Sequence, residues 1–288
     1  MRVEARAKIN WSLDIVGQRE DGYHLLDMLM QPVTLSDTVT LLPAEKLSLT
    51  TGGHPLLPAD EHNLAYRAAA ALKEATGYPG GAAIHVEKRI PAGAGMGGGS
   101  ADAAAVLAGL NRLWGLGLSQ PELERMGLTL GADVPFCLRG GLTRTTGIGE
   151  TMEAVSCGRD YELVVIQPCE GLSTGTVFRA YHEREQAAHP DTDAAQAALT
   201  AGDTVLLARS LGNVLQPVSE TLRPAIREAV EALQNSGAAI ALMTGSGSAV
   251  FGAFEDAAIA DRAFGVLRAR WPGTWRCRTC RESLIITA

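Results

Sequence analysis

Apolar and polar positions alternate from residue 2 to residue 15. Val3, Ala5, Ala7, Ile9, Trp11, Leu13 and Ile15 fall on one side; Arg2, Glu4, Arg6, Lys8, Asn10, Ser12 and Asp14 fall on the other. A period of two predicts a strand with one buried and one wet face, and it puts Lys8 and Asn10 together on the wet one. The run 17–22, GQREDG, is a turn. Residues 25–42 continue as strand, with a break near Ser36 and Asp37. A helical pattern over 61–75 stops at Gly77, and 82–88 is a further strand. Residues 91–99 form a glycine-rich loop, followed by a helix of Ala and Leu over 100–114. Ser119 caps a short helix with Pro121 in its first turn. Gly131, Ala132 and Asp133 precede a small apolar run, 134–138, and Gly140 and Gly141 interrupt the chain.

The rest alternates strands with helices. Residues 163–167 are a buried strand, and helices are predicted at 174–181, 194–199, 204–211 and 224–234. A strand over 238–243 ends at a second glycine loop, 244–247. It pairs with 251–254, and a helix over 257–268 and a last strand over 283–287 follow. The chain has no internal repeat and no linker-like tract. Its weakest crossing lies at 147–150, which predicts an α+β fold of two halves, 1–149 and 150–288.

Composition narrows the partners. The 288 residues carry a formal charge of −7 with no basic block, a poor footprint for nucleic acid. No run approaches the roughly 20 apolar residues of a membrane span. The N-terminus looks unlike a signal or transit peptide, so a cytoplasmic protein is expected. Five dispersed cysteines, an odd number, argue against a disulfide framework. Cys277 and Cys280 form a lone CxxC with no second pair or nearby His pair, which favours two cysteines in a terminal strand or loop over zinc or redox chemistry. A monomer or weak homodimer is expected.

The loop PAGAGMGGGS, 91–100, carries five glycines between positions 93 and 99. Such a loop leaves backbone N–H groups unshielded ahead of a helix N-terminus, where an anion can sit. A dinucleotide fingerprint is rejected because no strand ending in an acid follows about 20 residues on. A Walker A loop fails because Gly99 stands where Lys is required. A phosphate cradle of a third kind remains, beside the plainer reading of a tight turn. Phosphoryl transfer to an alcohol also needs a proton acceptor and positive charge. Asp133 is a candidate base or a plain helix N-cap; Lys8 is a candidate cation or an ordinary solvated strand lysine. Locally, neither choice is decided.

Three segments in order, Ala7-Lys8-Ile9-Asn10, 91–102 and 243–247 (MTGSG), resemble the three motifs of the GHMP small-molecule kinases. Within that superfamily, Asp21-Gly22-Tyr23-His24 and the segment GADVPF, 131–136, resemble the family that phosphorylates 4-diphosphocytidyl-2-C-methyl-D-erythritol. The resemblance implies a two-domain GHMP kinase fold, with a half like ribosomal protein S5 domain 2 and then a ferredoxin-like half. It implies ATP and Mg²⁺ as cofactors and a small-molecule substrate carrying a cytidine diphosphate. By position, Asp133 takes the proton from the 2-hydroxyl, Lys8 holds that hydroxyl and Asp133 in register, and Asn10 binds the substrate nearby. Pro91, Gly93, Gly95, Gly97, Gly98, Gly99 and Ser100 wrap the ATP phosphates, with Ser100 also an outer partner of Mg²⁺. Asn63 and Lys88 line the adenosine site, and Gly245 lets the second half close on the centre. Tyr23 and Phe178 stack on the pyrimidine, His24 reads its edge and Thr174 adds a polar contact. Two departures stand out: Ala101-Asp102 where many members have Ser-Asn, and Gly175 where proline is common. A kinase of homoserine, mevalonate or a sugar remains an alternative, as does a catalytically silent nucleotide-binding regulator.

Overall fold

In the computed structural model, which describes residues 1–53, 58–182 and 188–287, the alternating segment forms a single long strand, β1 (Arg2–Gln18). A hairpin leads into β2 (His24–Ala44), then β3 (Ser48–Gly52), α1 (Leu64–Thr76) and β4 (Gly81–Glu87). Helices α2 (Gly98–Leu113), α3 (Gln120–Leu130) and α4 (Val134–Arg139) follow, and then the hairpin of β5 (Leu142–Gly147) and β6 (Thr151–Val155). Next come β7 (Glu162–Ile166), α5 (Thr174–His182), α6 (Thr192–Ala201), α7 (Thr204–Ser210), α8 (Gln216–Leu222) and α9 (Ala225–Asn235). The chain closes with β8 (Ile240–Met243), β9 (Val250–Phe254), α10 (Ala257–Arg270), β10 (Thr274–Arg278) and β11 (Leu284–Thr287).

Two sheets result. The first runs β11-β1-β2-β4-β3, with β5 also on β2 and β6 on β5, and it is antiparallel except between β3 and β4. Helix α2 packs on β1 and β2, most closely at Gly109, where a Cβ would stand 2.4 Å from Leu41 Cδ1 and 3.2 Å from Val3 Cγ2. The second sheet is antiparallel in the order β10-β7-β9-β8. Counted within that unit, the fourth strand lies beside the first, then the third and the second, with helices between first and second and between third and fourth. That is the ferredoxin-like arrangement expected for the C-terminal half.

One expectation about β1 is corrected. Its polar face is open only at the start, where Arg2 is exposed and Glu4 and Arg6 are half-buried; Lys8, Asn10, Ser12 and Asp14 are all buried. Alternation marks two faces but does not say that the polar one meets water, and here the second half of the chain covers it. The predicted break at Ser36 and Asp37 is also absent, because β2 runs through it. Asp37 is fully buried there and turns its carboxylate to the N–H groups of Arg89 and Ile90, at 2.6 and 2.8 Å. The irregularity lies instead in the pairing of β1 with β2, where register shifts flank Lys8 and Asn10 on both sides.

Candidate active site

Away from β2, the second edge of β1 is paired segment by segment. Arg6 N donates to Ser283 O at 2.9 Å, Lys8 N to Met96 O at 3.0 Å, Asn10 N to Thr244 Oγ1 at 3.0 Å and Leu13 N to Gly212 O at 2.9 Å. One strand edge therefore gathers the terminal strand, the glycine loop of the first half and the glycine loop of the second. Arg6, Lys8 and Asn10 turn their N–H groups to this edge by ordinary alternation. The register shift between Asn10 and Ser12 moves the alternation by one so that Leu13 follows; such irregularities are common beside active sites.

Lys8 Nζ lies 3.6 Å from Asp133 Oδ2 and donates to Asn10 Oδ1 at 2.8 Å. Asp133 occupies the N-cap position of α4, yet its side chain makes no capping bond. The capping alternative therefore fails: the carboxylate is turned toward the lysine. Lys8 is only 4% exposed, which removes the solvated-lysine reading. Gly97 makes the approach possible. Its φ is 69°, and a Cβ there would stand 3.2 Å from Lys8 Cγ and 3.7 Å from Asp133 Oδ2. The N–H of Ala101 is the first to find a helical acceptor, Gly97 O, so those of Gly98, Gly99 and Ser100 are available to an anion at the start of α2.

Lys8, Asn10 and Asp133 line a cleft of about 990 Å³. So do Tyr23, His24, Asn63, Lys88, Pro91, Gly93, Gly95, Gly97, Gly98, Gly99, Ser100, Thr174, Phe178 and Gly245. Every site residue named from the sequence thus meets in one place. The Phe178 ring lies 4.6 Å from that of His24, tilted by 41°, while Tyr23 is 61% exposed.

The profile described as GHMP kinases N terminal domain matches residues 63–141, and that described as GHMP kinases C terminal matches 195–273. A 4-diphosphocytidyl-2-C-methyl-D-erythritol kinase of Symbiobacterium thermophilum is 41% identical over 280 residues, 97% of this chain and 99% of the relative. The chain belongs to the GHMP kinase family, in the branch of that relative. A crystal structure of 4-(cytidine 5'-diphospho)-2C-methyl-D-erythritol kinase matches at a TM-score of 0.82 and 36% identity, covering 97% of this chain and 99% of that one. A homoserine kinase from Cytophaga hutchinsonii matches at 0.77 over 100% of this chain and 97% of its own; at 20% identity it shares the fold.

The GHMP fold places further groups at the cleft that pattern reading missed. Ser246 lines it beside Gly245 and shares a hydrogen bond of 3.0 Å with Thr174 across the gap between its loop and α5. Lys88 is not a lone cation facing the cleft. It pairs with Asp37 and donates to Asp102 Oδ2 at 2.6 Å, and Asp102 Oδ1 is buried with no partner among the described residues. Burial, together with Asp37 and against the pull of Lys88, pushes the Asp102 carboxyl up to about 8. Burial opposes the charge of Lys88, but the two carboxylates outweigh it and its pKa is raised. Asp37 was detectable as an acid inside an apolar strand; that signal suggested a break because the partner lies 51 residues away. Among the described residues no cluster of His, Cys, Asp or Glu could cage a metal, and no helix is long and apolar enough to cross a membrane. Cys277 sits in β10 with Cys280 just beyond, both free thiols.

Proposed function

We propose that this chain transfers the γ-phosphoryl group of ATP to the 2-hydroxyl of 4-diphosphocytidyl-2-C-methyl-D-erythritol, within the methylerythritol phosphate route to isoprenoid precursors. The observation that carries the proposal is the approach of Lys8 Nζ to Asp133 Oδ2, 3.6 Å, beside Gly97 of the phosphate loop. Asp133, still 35% exposed at its side chain, reaches the cleft and accepts the hydroxyl proton. Lys8, held by Asn10 Oδ1, keeps the hydroxyl and Asp133 in register and offsets negative charge as phosphoryl transfer proceeds. The remaining donor capacity of Asn10, its Nδ2, has among the described residues only the sulfur of Met28 at 3.5 Å and is the group that serves the substrate.

The Gly98, Gly99 and Ser100 N–H groups and the helix behind them bind the phosphates, with Pro91, Gly93 and Gly95 shaping the turn. Asn63 and Lys88 border the adenosine. Mg²⁺, brought on the nucleotide, supplies charge neutralisation of the phosphates. A hydroxyl in the first turn of α2, without a carboxylate cage, suits an ion that keeps most of its ligands from phosphate and water, and Ser100 is the residue that meets it. Tyr23, Phe178, His24 and Thr174 take the cytidine. The halves 1–149 and 150–288 are the units we assign to these tasks, with β6 and β11 crossing back to complete the first sheet. A cytoplasmic monomer or weak homodimer acting without nucleic acid or membrane completes the reading.

ADP release measured with the cytidine compound, homoserine and mevalonate in turn tests it. Turnover confined to the cytidine compound is the expected result. Turnover with another alcohol in its place, or with none, overturns it.

A further inference from the structure

Asn10 Oδ1 accepts three hydrogen bonds: from Lys8 Nζ at 2.8 Å, Gly245 N at 3.1 Å and Thr244 Oγ1 at 3.3 Å. Two of those donors have no acceptor capacity, so the amide must present its oxygen to them, and its orientation is settled by chemistry. Thr244 grips the same residue a second time, because its hydroxyl also accepts the backbone N–H of Asn10 at 3.0 Å. The hydroxyl thus spends its donor and an acceptor on one residue, 234 positions away in sequence. Thr244 is fully buried and does not line the cleft.

The loop that carries Thr244 is itself fixed. Asn213 Nδ2 donates to Met243 O at 2.9 Å and Gly245 O at 2.8 Å, and Met243 N donates to Gln216 Oε1 at 2.9 Å. On its other side the loop abuts Gly95, where a Cβ would come within 2.3 Å of Thr244 O. Thr244 therefore cannot drift to follow Asn10; Asn10 must follow Thr244.

We propose that Thr244, from the C-terminal half, is a positioning residue for the phosphoryl-transfer lysine of the N-terminal half, acting through the Asn10 side chain. The proposal rests on the role given above to Lys8. Loss of the hydroxyl leaves a buried Asn10 N–H without its acceptor and frees the amide to move, and the ammonium it holds moves with it. A shift of that kind costs rate rather than nucleotide binding, since none of the phosphate-loop N–H groups is touched.

Thr244→Val keeps the branched shape and removes the hydroxyl, whereas Thr244→Ser keeps the hydroxyl and removes a methyl. With the cytidine substrate, kcat of the Val variant should fall on the order of 10- to 100-fold with KM for ATP unchanged, and the Ser variant should recover most of it. In an Asn10→Ala background the Val change should cost almost nothing more. Val at wild-type kcat, Ser as slow as Val, or full additivity with Asn10→Ala overturns the proposal. A readout independent of turnover separates it from the assignment of substrate. The chain has four lysines, at 8, 46, 73 and 88, so a ¹³Cε-lysine spectrum resolves them. Thr244→Val should shift Lys8 and leave Lys46 and Lys73 in place; an unmoved Lys8 signal overturns the proposal even if the substrate is a different alcohol.

Discussion

Asp133 stands at the N-cap of α4 and leaves the cap unmade, with Oδ2 3.6 Å from Lys8 Nζ. An N-cap bond typically contributes about 1 kcal/mol, so a carboxylate that forgoes it is held for another purpose. Asp133→Asn keeps size and polarity but cannot take a proton. Turnover should fall on the order of 100- to 10,000-fold while ATP affinity, measured by calorimetry, stays within a small factor. A variant with near-full activity would refute Asp133 as the base. Lys8→Ala should likewise depress kcat far more than it weakens ATP.

Gly97→Ala probes the same pair from the loop. An L-residue at φ 69° costs about 1–2 kcal/mol, and the new methyl meets Lys8 Cγ and Cε at 3.2 and 3.3 Å. Melting temperature should drop modestly and kcat by about 100-fold, because the lysine stem must yield. Were kcat to survive while stability alone fell, the glycine would be serving the turn and not the approach.

Much of this site could be inferred from local pattern. Alternation located Lys8 and Asn10 on one face of β1, and the glycines of 93–99 located the cradle. Pattern could not show that the polar face is covered from Lys8 onward, because Thr244, Thr192 and His189 reach the side chains of Asn10, Ser12 and Asp14 only after two sheets have formed. Nor could it show that Lys88 is shared between Asp37 and Asp102, an arrangement joining β2, the end of β4 and α2. The short edge strand β6 escaped because its side chains are mostly exposed and lack alternation. Long-range closure hid the covered face and the shared lysine, whereas β6 offered no local signal to read.

The buried Asp102 gives a pH signature. Its folded carboxyl is raised from 3.8 to about 8, so the folded chain binds more protons than the unfolded chain between those values. Stability from this group therefore declines as pH rises through that window. Asp102→Asn still accepts from Lys88 and removes the titration. Thermal melts between about pH 5 and about pH 8 should show a steeper loss for the wild type than for the variant. Parallel curves would mean that Asp102 is ionised throughout.

Phe178 and His24, with ring centroids 4.6 Å apart, approach from α5 and the start of β2, so the two halves meet at the pyrimidine end of the proposed substrate. Stacking of a base on an aromatic ring is worth roughly 1–3 kcal/mol by alanine substitution. Phe178→Ala should therefore raise KM for the cytidine substrate about 5- to 150-fold and leave KM for ATP alone. Phe178→Tyr, which keeps the π-face, should restore most of the affinity, and Phe178→Leu, which keeps bulk without that face, should not. His24→Ala should also raise KM, because an edge reader discriminates through its hydrogen bonds. If Leu served as well as Tyr, Phe178 would be acting as packing for α5, and recognition of the pyrimidine would fall to Tyr23, whose exposed ring is free to move onto the base.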